Sequence, residues 1–574
     1  MIDFVKLNEL SKTNQIIEKT KNNLFTIKLN QNYVHSIYDP YKEAERLIKV
    51  VEETNPEETL VIIFGSGLGY HIELLEKKGY KNVIIIELND EIYRIFKNIY
   101  DLPETYFLLS LKDKVEKIDS IFSIFEIQNF KRIKTIQLRN DYSKELYKPY
   151  EERIQRLLEV KLGDFSTRMK FEEIWFINIL KNIYFLKNSV EIQKLFGLFK
   201  NLPFLIVSAG PSLKDSLEYI KKIKDYVILV SVDTAILPLY EAGIIPDFIY
   251  SLDSQIYNLT DFLMIEKNFL SKTNLIYDIV SNPGLQVYFN KIRKENPERY
   301  NFISTTAHLD FDYNNNPFFI KNEFVNWIEN KVSLRFGDIE TGGSVSTSAF
   351  HFSFLAGGNP IILTGQDLAY TNLVSHTPSS SHFYRLLSKT NRVNKIENLF
   401  LSIIKKRKIL EKDSLNKNKI LTDFVLNNFR GWFEESAKNI LNFQKNISLI
   451  NATLNGTKIS HFTDMPIDKL SQIISKEGTK LDKERIFKFS LIEVNKIDKI
   501  LWELKKLDNF VLELPIKEEI FSIIENSEFY FLNRYFMKER IVFERYSKFE
   551  EDNIHRKLRR LVKNLEELYA RKTD

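Results

Sequence analysis

Residues Leu202–Ile220, LPFLIVSAGPSLKDSLEYI, constrain the fold of this chain more than any other stretch. Phe204–Val207 is an apolar run of strand length. Ser208-Ala209-Gly210-Pro211-Ser212 is a turn of small residues, after which Leu213, Leu217 and Ile220 recur at helical spacing. The pattern predicts a βα unit whose turn ends at a helix N-terminus. Free N–H groups and the positive end of the helix dipole meet there, so such a turn can receive an anion. Gly210 lets backbone approach a ligand closely. Pro211 suits a first helical turn because its missing N–H has no helical partner. The same turn is also an ordinary βα connection, and the residues that follow decide between the two.

Val227–Val232 reads as the next strand and ends at Asp233-Thr234. Phe248–Leu252 is another, ending at Asp253, and further strands are expected at Leu275–Asp278 and Phe302–Thr305. Strands alternating with helices imply a mostly parallel sheet, and ligands of such sheets sit off the carboxyl ends of the strands. Asp233, Asp253 and the Gly210 turn all fall at such ends. Glu340–Tyr370 is a second dense patch: Gly342-Gly343-Ser344 opens a helix, Ile361–Thr364 is a strand, and Gly365-Gln366-Asp367 lies at its carboxyl end. Two glycine-rich helix starts could face one ligand, or Gly342 and Gly343 form only a tight turn before a closely packed helix. The polar segment Thr371–Ser381 contains His376 and is expected to be flexible, as active-site lids are.

At 574 residues the chain is too long for one core, so two to four domains are expected. A net charge of +5 is small for this length and gives no case for nucleic acid. The absence of cysteine removes disulfides and thiolate metal sites and fits a reducing, cytoplasmic setting. The first residues lack the apolar core of a signal peptide, and no run approaches membrane-spanning length, so no membrane role is expected.

Around this centre, residues 1–150 are read as a Rossmann-like domain. Thr59–Phe64, Gly65-Ser66-Gly67-Leu68-Gly69, a helix, and Asn82–Ile86 ending at Glu87 form a strand–GxGxG–helix–strand–acid unit. It resembles the first motif of Rossmann-type methyltransferases and could hold a nucleotide or S-adenosylmethionine. The favoured alternative is a sheet domain that keeps the shape without the chemistry, because no further catalytic motif follows. Residues 151–200 are expected to be a helical connector, 201–465 the central domain and 466–574 a helical C-terminal domain for packing or partner contact. Lys405–Lys419 reads as a basic solvated run.

Five segments, LIVSAGPSL (205–213), VDTAILPLYEAGIIPDFIYSLD (232–253), TGGSVSTSAF (341–350), NPIILTGQDLAYTNLVSHT (359–377) and INATLNGTKI (450–459), resemble in order those of the bacterial motility-associated factor (Maf) glycosyltransferases. The resemblance implies transfer of a nonulosonic acid of pseudaminic, legionaminic or sialic type from its CMP-activated form to Ser or Thr of flagellin. It implies an α/β architecture in three parts, the central one a doubly wound, sialyltransferase-like domain. That likeness implies Gly210, Pro211 and Ser212 near the CMP phosphate, Asp233, Thr234 and Asp253 near the nucleotide, and Gly342, Gly343 and Ser344 near ribose or phosphate. His376 is the nearest match to the family's general base, beyond Gln366 and Asp367, which complete the expected catalytic set. No cofactor or essential metal is expected, since CMP-sugars carry a single phosphate; Asp310-Phe311-Asp312 has the Asp-x-Asp form in a different setting. Flagellin and the CMP-sugar are the expected partners, with a homo-oligomer open. The central domain also resembles archaeal 6-hydroxymethylpterin diphosphokinases, which gives a second reading. A third is a non-catalytic flagellin-binding protein.

Overall fold

A computed structural model of the chain describes all residues except 114, 116, 125–129, 131, 139–143, 312–316, 417, 484–487, 547 and 571–574. Asp312 of the Asp-x-Asp triplet therefore lies outside the described residues. The chain divides into two units, Met1–Arg168 with Asp310–Phe318, and Met169–Leu309 with Phe319–Asp574.

In the smaller unit β1 (Thr59–Phe64), β2 (Asn82–Glu87), β3 (Tyr106–Ser110) and β4 (Arg132–Gln137) form a parallel sheet in the order β3-β2-β1-β4. β1 is apolar and buried on both faces. Val61 and Ile63 join one core with Ile72 and Leu75 of α1 (Tyr70–Lys77), while Leu60, Ile62 and Phe64 face Tyr147 and Ile154 on the other side. Continuous apolar strands covered on both faces are what a parallel sheet requires.

The division between units falls inside the expected 151–200 connector. One 40-residue helix, α2 (Lys144–Ile183), runs through it, and its last part belongs to the larger unit. β5 (Ser189–Glu191) then pairs with a strand of the central sheet, so this stretch is not purely a connector. The larger unit follows with β6 (Phe204–Val207), α3 (Leu213–Ile223), β7 (Ile228–Val232), β8 (Phe248–Ser251), β9 (Asn274–Asp278), β10 (Asn301–Phe311), β11 (Asp338–Glu340), α4 (Val345–Leu355), β12 (Ile361–Thr364) and β13 (Leu449–Asn451). Its sheet runs β10-β9-β8-β7-β6-β12-β13, each adjacent pair parallel. Side chains alternate between two cores: Phe204, Ile206, Ile361 and Leu363 pack with Phe350 and Phe352 of α4, and Leu205, Val207 and Ile362 with Leu213 and Ile220 of α3.

Residues 466–574 are mostly helical, as the amphipathic pattern predicts, but do not make a separate core. Ile497, Ile500 and Leu504 of helix Val494–Glu513, and Ile554, Leu561 and Leu565 of helix Glu551–Ala570, share one core with Phe176, Ile179 and Ile183 of α2 and with Phe324, Val325 and Ile328.

Candidate functional site

From β6 the chain winds outward through β7, β8, β9 and β10, then returns to place β12 on the other side of β6. The carboxyl ends of β6 and β12 therefore flank a topological switch point, the place where parallel sheets open a crevice. Beside it the other strand ends carry carboxylates: Asp233 follows β7, Asp253 lies two residues beyond β8, and Asp278 ends β9.

The two turns at the switch point are locked together. The Gly210 N–H donates to the Gly365 carbonyl at 2.8 Å. The Asp367 carboxylate accepts the Ser212 hydroxyl at 2.7 Å, the Ser212 N–H at 3.2 Å and the Thr371 hydroxyl at 2.8 Å. The Ser208 hydroxyl donates to Gln366 Oε1 at 2.5 Å. A Cβ on Gly210 would overlap the Asp367 carboxylate and the Gly365 carbonyl. Burial pushes the Asp367 carboxyl up to about 6. Gly210 is therefore small so that Asp367 can pack, and the protein's own carboxylate takes the donor at the α3 N-terminus that an anion would use. α3 begins only at Leu213, so Pro211 lies in the turn, outside the helix's first turn. Gln366 and Asp367, expected as catalytic side chains, are buried, and both accept hydrogen bonds within this lock.

The Ile450–Ile459 turn closes over the backbone of Gln366 and Asp367. The Thr453 hydroxyl accepts the Gln366 N–H at 3.2 Å, the Thr457 N–H donates to the Asp367 carbonyl at 2.9 Å, and a Cβ on Gly456 would overlap the Asp367 backbone.

The 371–381 loop is pinned, contrary to the expected flexibility. The Thr377 N–H donates to the Ala209 carbonyl at 2.9 Å, and the Ser381 hydroxyl donates to Asp261. These bonds hold His376 near the Gly210 turn. Its ring stacks on His382 with centroids 4.3 Å apart, and its Nδ1 lies 3.1 Å from the Ser375 hydroxyl. Burial, with His382 and Arg385 adding to it, pushes the His376 imidazolium down to about 3, so the ring is neutral at physiological pH.

Asp233 is buried and accepts from Asn258 Nδ2 at 2.7 Å, Ser251 Oγ at 3.0 Å and the Thr234 N–H at 2.8 Å. Burial and the neighbouring Asp261 carboxylate push it up; burial also raises Asp261, against the pull of Ser381 and Arg385. Asp278 accepts the Val280 N–H at 2.9 Å and the Thr306 hydroxyl at 2.8 Å, and burial pushes it up to about 6. Asp253 differs. It is half-buried, and its carboxylate accepts one hydrogen bond among the described residues, from the Gln255 N–H at 2.9 Å. It is the strand-end acid with capacity left for a ligand.

At the α4 N-terminus, Ser344 is the cap, and its hydroxyl lies 3.0 Å from that of Ser346. The Gly342 N–H donates to Thr347 Oγ1 at 2.8 Å, and a Cβ on Gly342 would overlap the Trp432 indole. Packing against Trp432 thus requires a small residue at Gly342, whether or not the turn also meets a ligand. Asp278 is not singled out in the sequence, although it ends an apolar run as Asp233 does. Asp261, Asn258 and Trp432 carried no local signal, since their partners are distant in sequence.

In the smaller unit the glycine loop is filled from within. Glu87 accepts the Ser66 N–H at 2.8 Å and hydroxyl at 3.0 Å on one oxygen, and the Asn89 N–H at 2.9 Å on the other. The Leu68 N–H donates to His35 Nε2 at 2.8 Å, and a Cβ on Gly67 would overlap the His35 ring. The acid that would bind a ribose is turned onto its own loop, which favours the shape without the chemistry.

Residues 177–373 match the family model described as 6-hydroxymethylpterin diphosphokinase MptE-like, so the larger unit contains an MptE-like domain. Two uncharacterized proteins of Treponema pallidum (strain Nichols) are similar, one 29% identical over 133 residues (23% of this chain), the other 23% identical over 396 residues (66% of it). The chain spans only 61% and 63% of those relatives' lengths. Among solved structures, a MAf glycosyltransferase from Magnetospirillum magneticum AMB-1 superposes with a TM-score of 0.53, covering 99% of this chain and 89% of that one at 12% identity. The two chains share a fold.

Proposed function

We propose that the chain is a glycosyltransferase that moves a nonulosonic acid from a CMP-activated donor to a Ser or Thr hydroxyl of flagellin, in support of flagellar assembly and motility. The observation that carries this reading is the row of strand carboxyl ends running from the switch point, where Asp253 is half-buried with one hydrogen bond among the described residues and the His376 segment is tied to the Gly210 turn. The fold shared along almost the whole chain with a MAf glycosyltransferase supports it.

In this reading Asp253 and the Gly342-Gly343-Ser344 turn receive the nucleotide, and Asp233 and Thr234 shape the pocket floor. A serine or threonine hydroxyl is a poor nucleophile and needs a positioned base. His376 is neutral and so able to accept the proton. Burial first, and then His382 and Arg385, weaken it as a base; a bound phosphate would offset the Arg385 charge and raise its basicity. The leaving CMP carries negative charge that the α4 N-terminus can stabilise. The MptE-like match supports a second reading, an ATP-dependent pterin diphosphokinase.

Calorimetric titration with CMP, ATP and S-adenosylmethionine separates the readings. CMP is expected to bind and Asp253→Ala to weaken it by at least ~10-fold, the value of one good polar contact to a charged group. ATP binding without CMP binding would replace the transferase with the kinase.

A further inference from the structure

Between β12 and helix Phe424–Phe443 the chain carries a basic insertion. Residues 385–419 hold eleven Lys or Arg against three Asp or Glu, a local excess of eight in a chain whose whole excess is five. Lys389, Arg392, Lys395, Lys405 and Lys406 are exposed and form no ion pair among the described residues. Lys395 sits at the N-cap of helix Ile396–Lys405, where a cation opposes the helix dipole, so local stability does not account for it.

The insertion is fixed to the crevice. The Tyr370 N–H donates to the Leu421 carbonyl at 2.8 Å, and the Thr422 hydroxyl to the Leu368 carbonyl at 2.7 Å. The Leu415 N–H donates to the carbonyl of Gly456, the glycine packed on Asp367. The helix Ile396–Lys405, which follows Lys395 and precedes Lys406, itself packs against Thr371–Leu373, where the Thr371 hydroxyl donates to Asp367.

Their surroundings select the partner. Phe400 and Ile404, the apolar stripe of helix Ile396–Lys405, are buried, with Phe400 beside Phe383. On this helix Leu401 is the one exposed apolar side chain, too little for the continuous apolar face that enters a bilayer. No exposed aromatic ring interleaves the cations, as stacking on bases would require. What remains is a cationic surface in which Leu387, Val393 and Leu401 are the exposed apolar side chains. Such a surface raises the encounter rate of an oppositely charged protein and orients it.

We propose that the cations at 389–406 form a docking surface for an acidic polypeptide, the macromolecule that brings its acceptor hydroxyl to the crevice. This rests on the transferase reading above.

The test uses the full chain and a fluorescent peptide of alternating Glu and Ser, read by anisotropy. Three proteins are compared: wild type, Lys389→Glu/Lys405→Glu/Lys406→Glu, and a control with as many reversals elsewhere on the same unit, Lys214→Glu/Lys221→Glu/Lys222→Glu. Wild type and control are expected to bind the peptide, with affinity falling as salt rises from about 50 to about 300 mM. The first variant is expected to lose at least ~10-fold in affinity while its CMP titration is unchanged. Equal loss in both variants, no loss in the first, or binding to phosphatidylserine vesicles with none to the peptide, overturns the proposal. Failure of wild type to bind CMP overturns the transferase reading instead, and the peptide result is scored independently of it.

Discussion

Asp367 shows how one side chain can tie two turns at the carboxyl edge of a sheet. Its carboxylate sits at the α3 N-terminus, where dipole and donors favour a negative charge, yet burial raises its pKa to about 6 from an ordinary 3.8. A carboxyl raised on folding adds stability that is fully present below its unfolded pKa. That contribution is lost as pH rises through the folded one. Asp367→Asn keeps the shape and removes the titration, so the stability gap between variant and wild type is expected to move in the variant's favour by about 1–2 kcal/mol between about pH 5 and about pH 8. Urea unfolding at both pH values measures it. A gap that does not move with pH would show that the carboxyl ionises in place without penalty. Gly210 belongs to the same lock, and its lack of a side chain is needed for packing against Asp367.

At the scale of elements, the strands were legible and the contacts between their ends were not. Phe204–Val207, Val227–Val232, Leu275–Asp278 and Ile361–Thr364 read as short apolar runs because the strands they contain or extend into are buried on both faces. A parallel sheet leaves no polar side to a central strand. Asp233 and Asp253 were visible as residues that stop such runs. That Asp261 holds Ser381, that Trp432 fills the space over Gly342, and that the 371–381 loop is pinned all depend on residues more than 80 positions apart, which periodicity does not report. The glycine loop of the smaller unit makes the same point in reverse. Gly65-Ser66-Gly67-Leu68-Gly69 and Glu87 have the spacing of a nucleotide site, but His35 and Glu87 consume its donors. Titration of wild type with S-adenosylmethionine is therefore expected to release no heat. His35→Ala, which leaves the Leu68 N–H without its acceptor, is expected to cost about 1–3 kcal/mol in urea unfolding. Measurable S-adenosylmethionine binding by wild type would mean that Glu87 turns outward to meet a ribose, and would restore the methyltransferase-like reading of this loop.

The larger unit is one body, although the sequence divides it. The amphipathic pattern of residues 466–574 announces an apolar face without saying what it covers, and helices Val494–Glu513 and Glu551–Ala570 share a core with Phe324, Val325 and Ile328 of the central domain. Phe531 stacks on Phe324 with centroids 4.7 Å apart, Trp327 lies 5.1 Å from Phe531, and the Tyr535 hydroxyl donates to the Lys557 carbonyl at 3.1 Å. Lys557 is itself buried and paired with Glu539 at 2.8 Å. Removing one partner of a buried ion pair leaves a charge without compensation, a loss of about 3–5 kcal/mol, whereas removing an exposed charge costs well under 1. Lys557→Ala is therefore expected to destabilise the whole larger unit, lowering the midpoint of the same calorimetric transition that reports the central sheet. If residues 494–574 were a separate domain, the variant would shift a second, smaller transition and leave CMP affinity and the main transition where they are. One shared transition would instead mean that the helices are part of the frame on which the crevice is built. Their role would then be to hold the scaffold of the site, and any partner they bind would have to dock on the outer faces that this core leaves exposed.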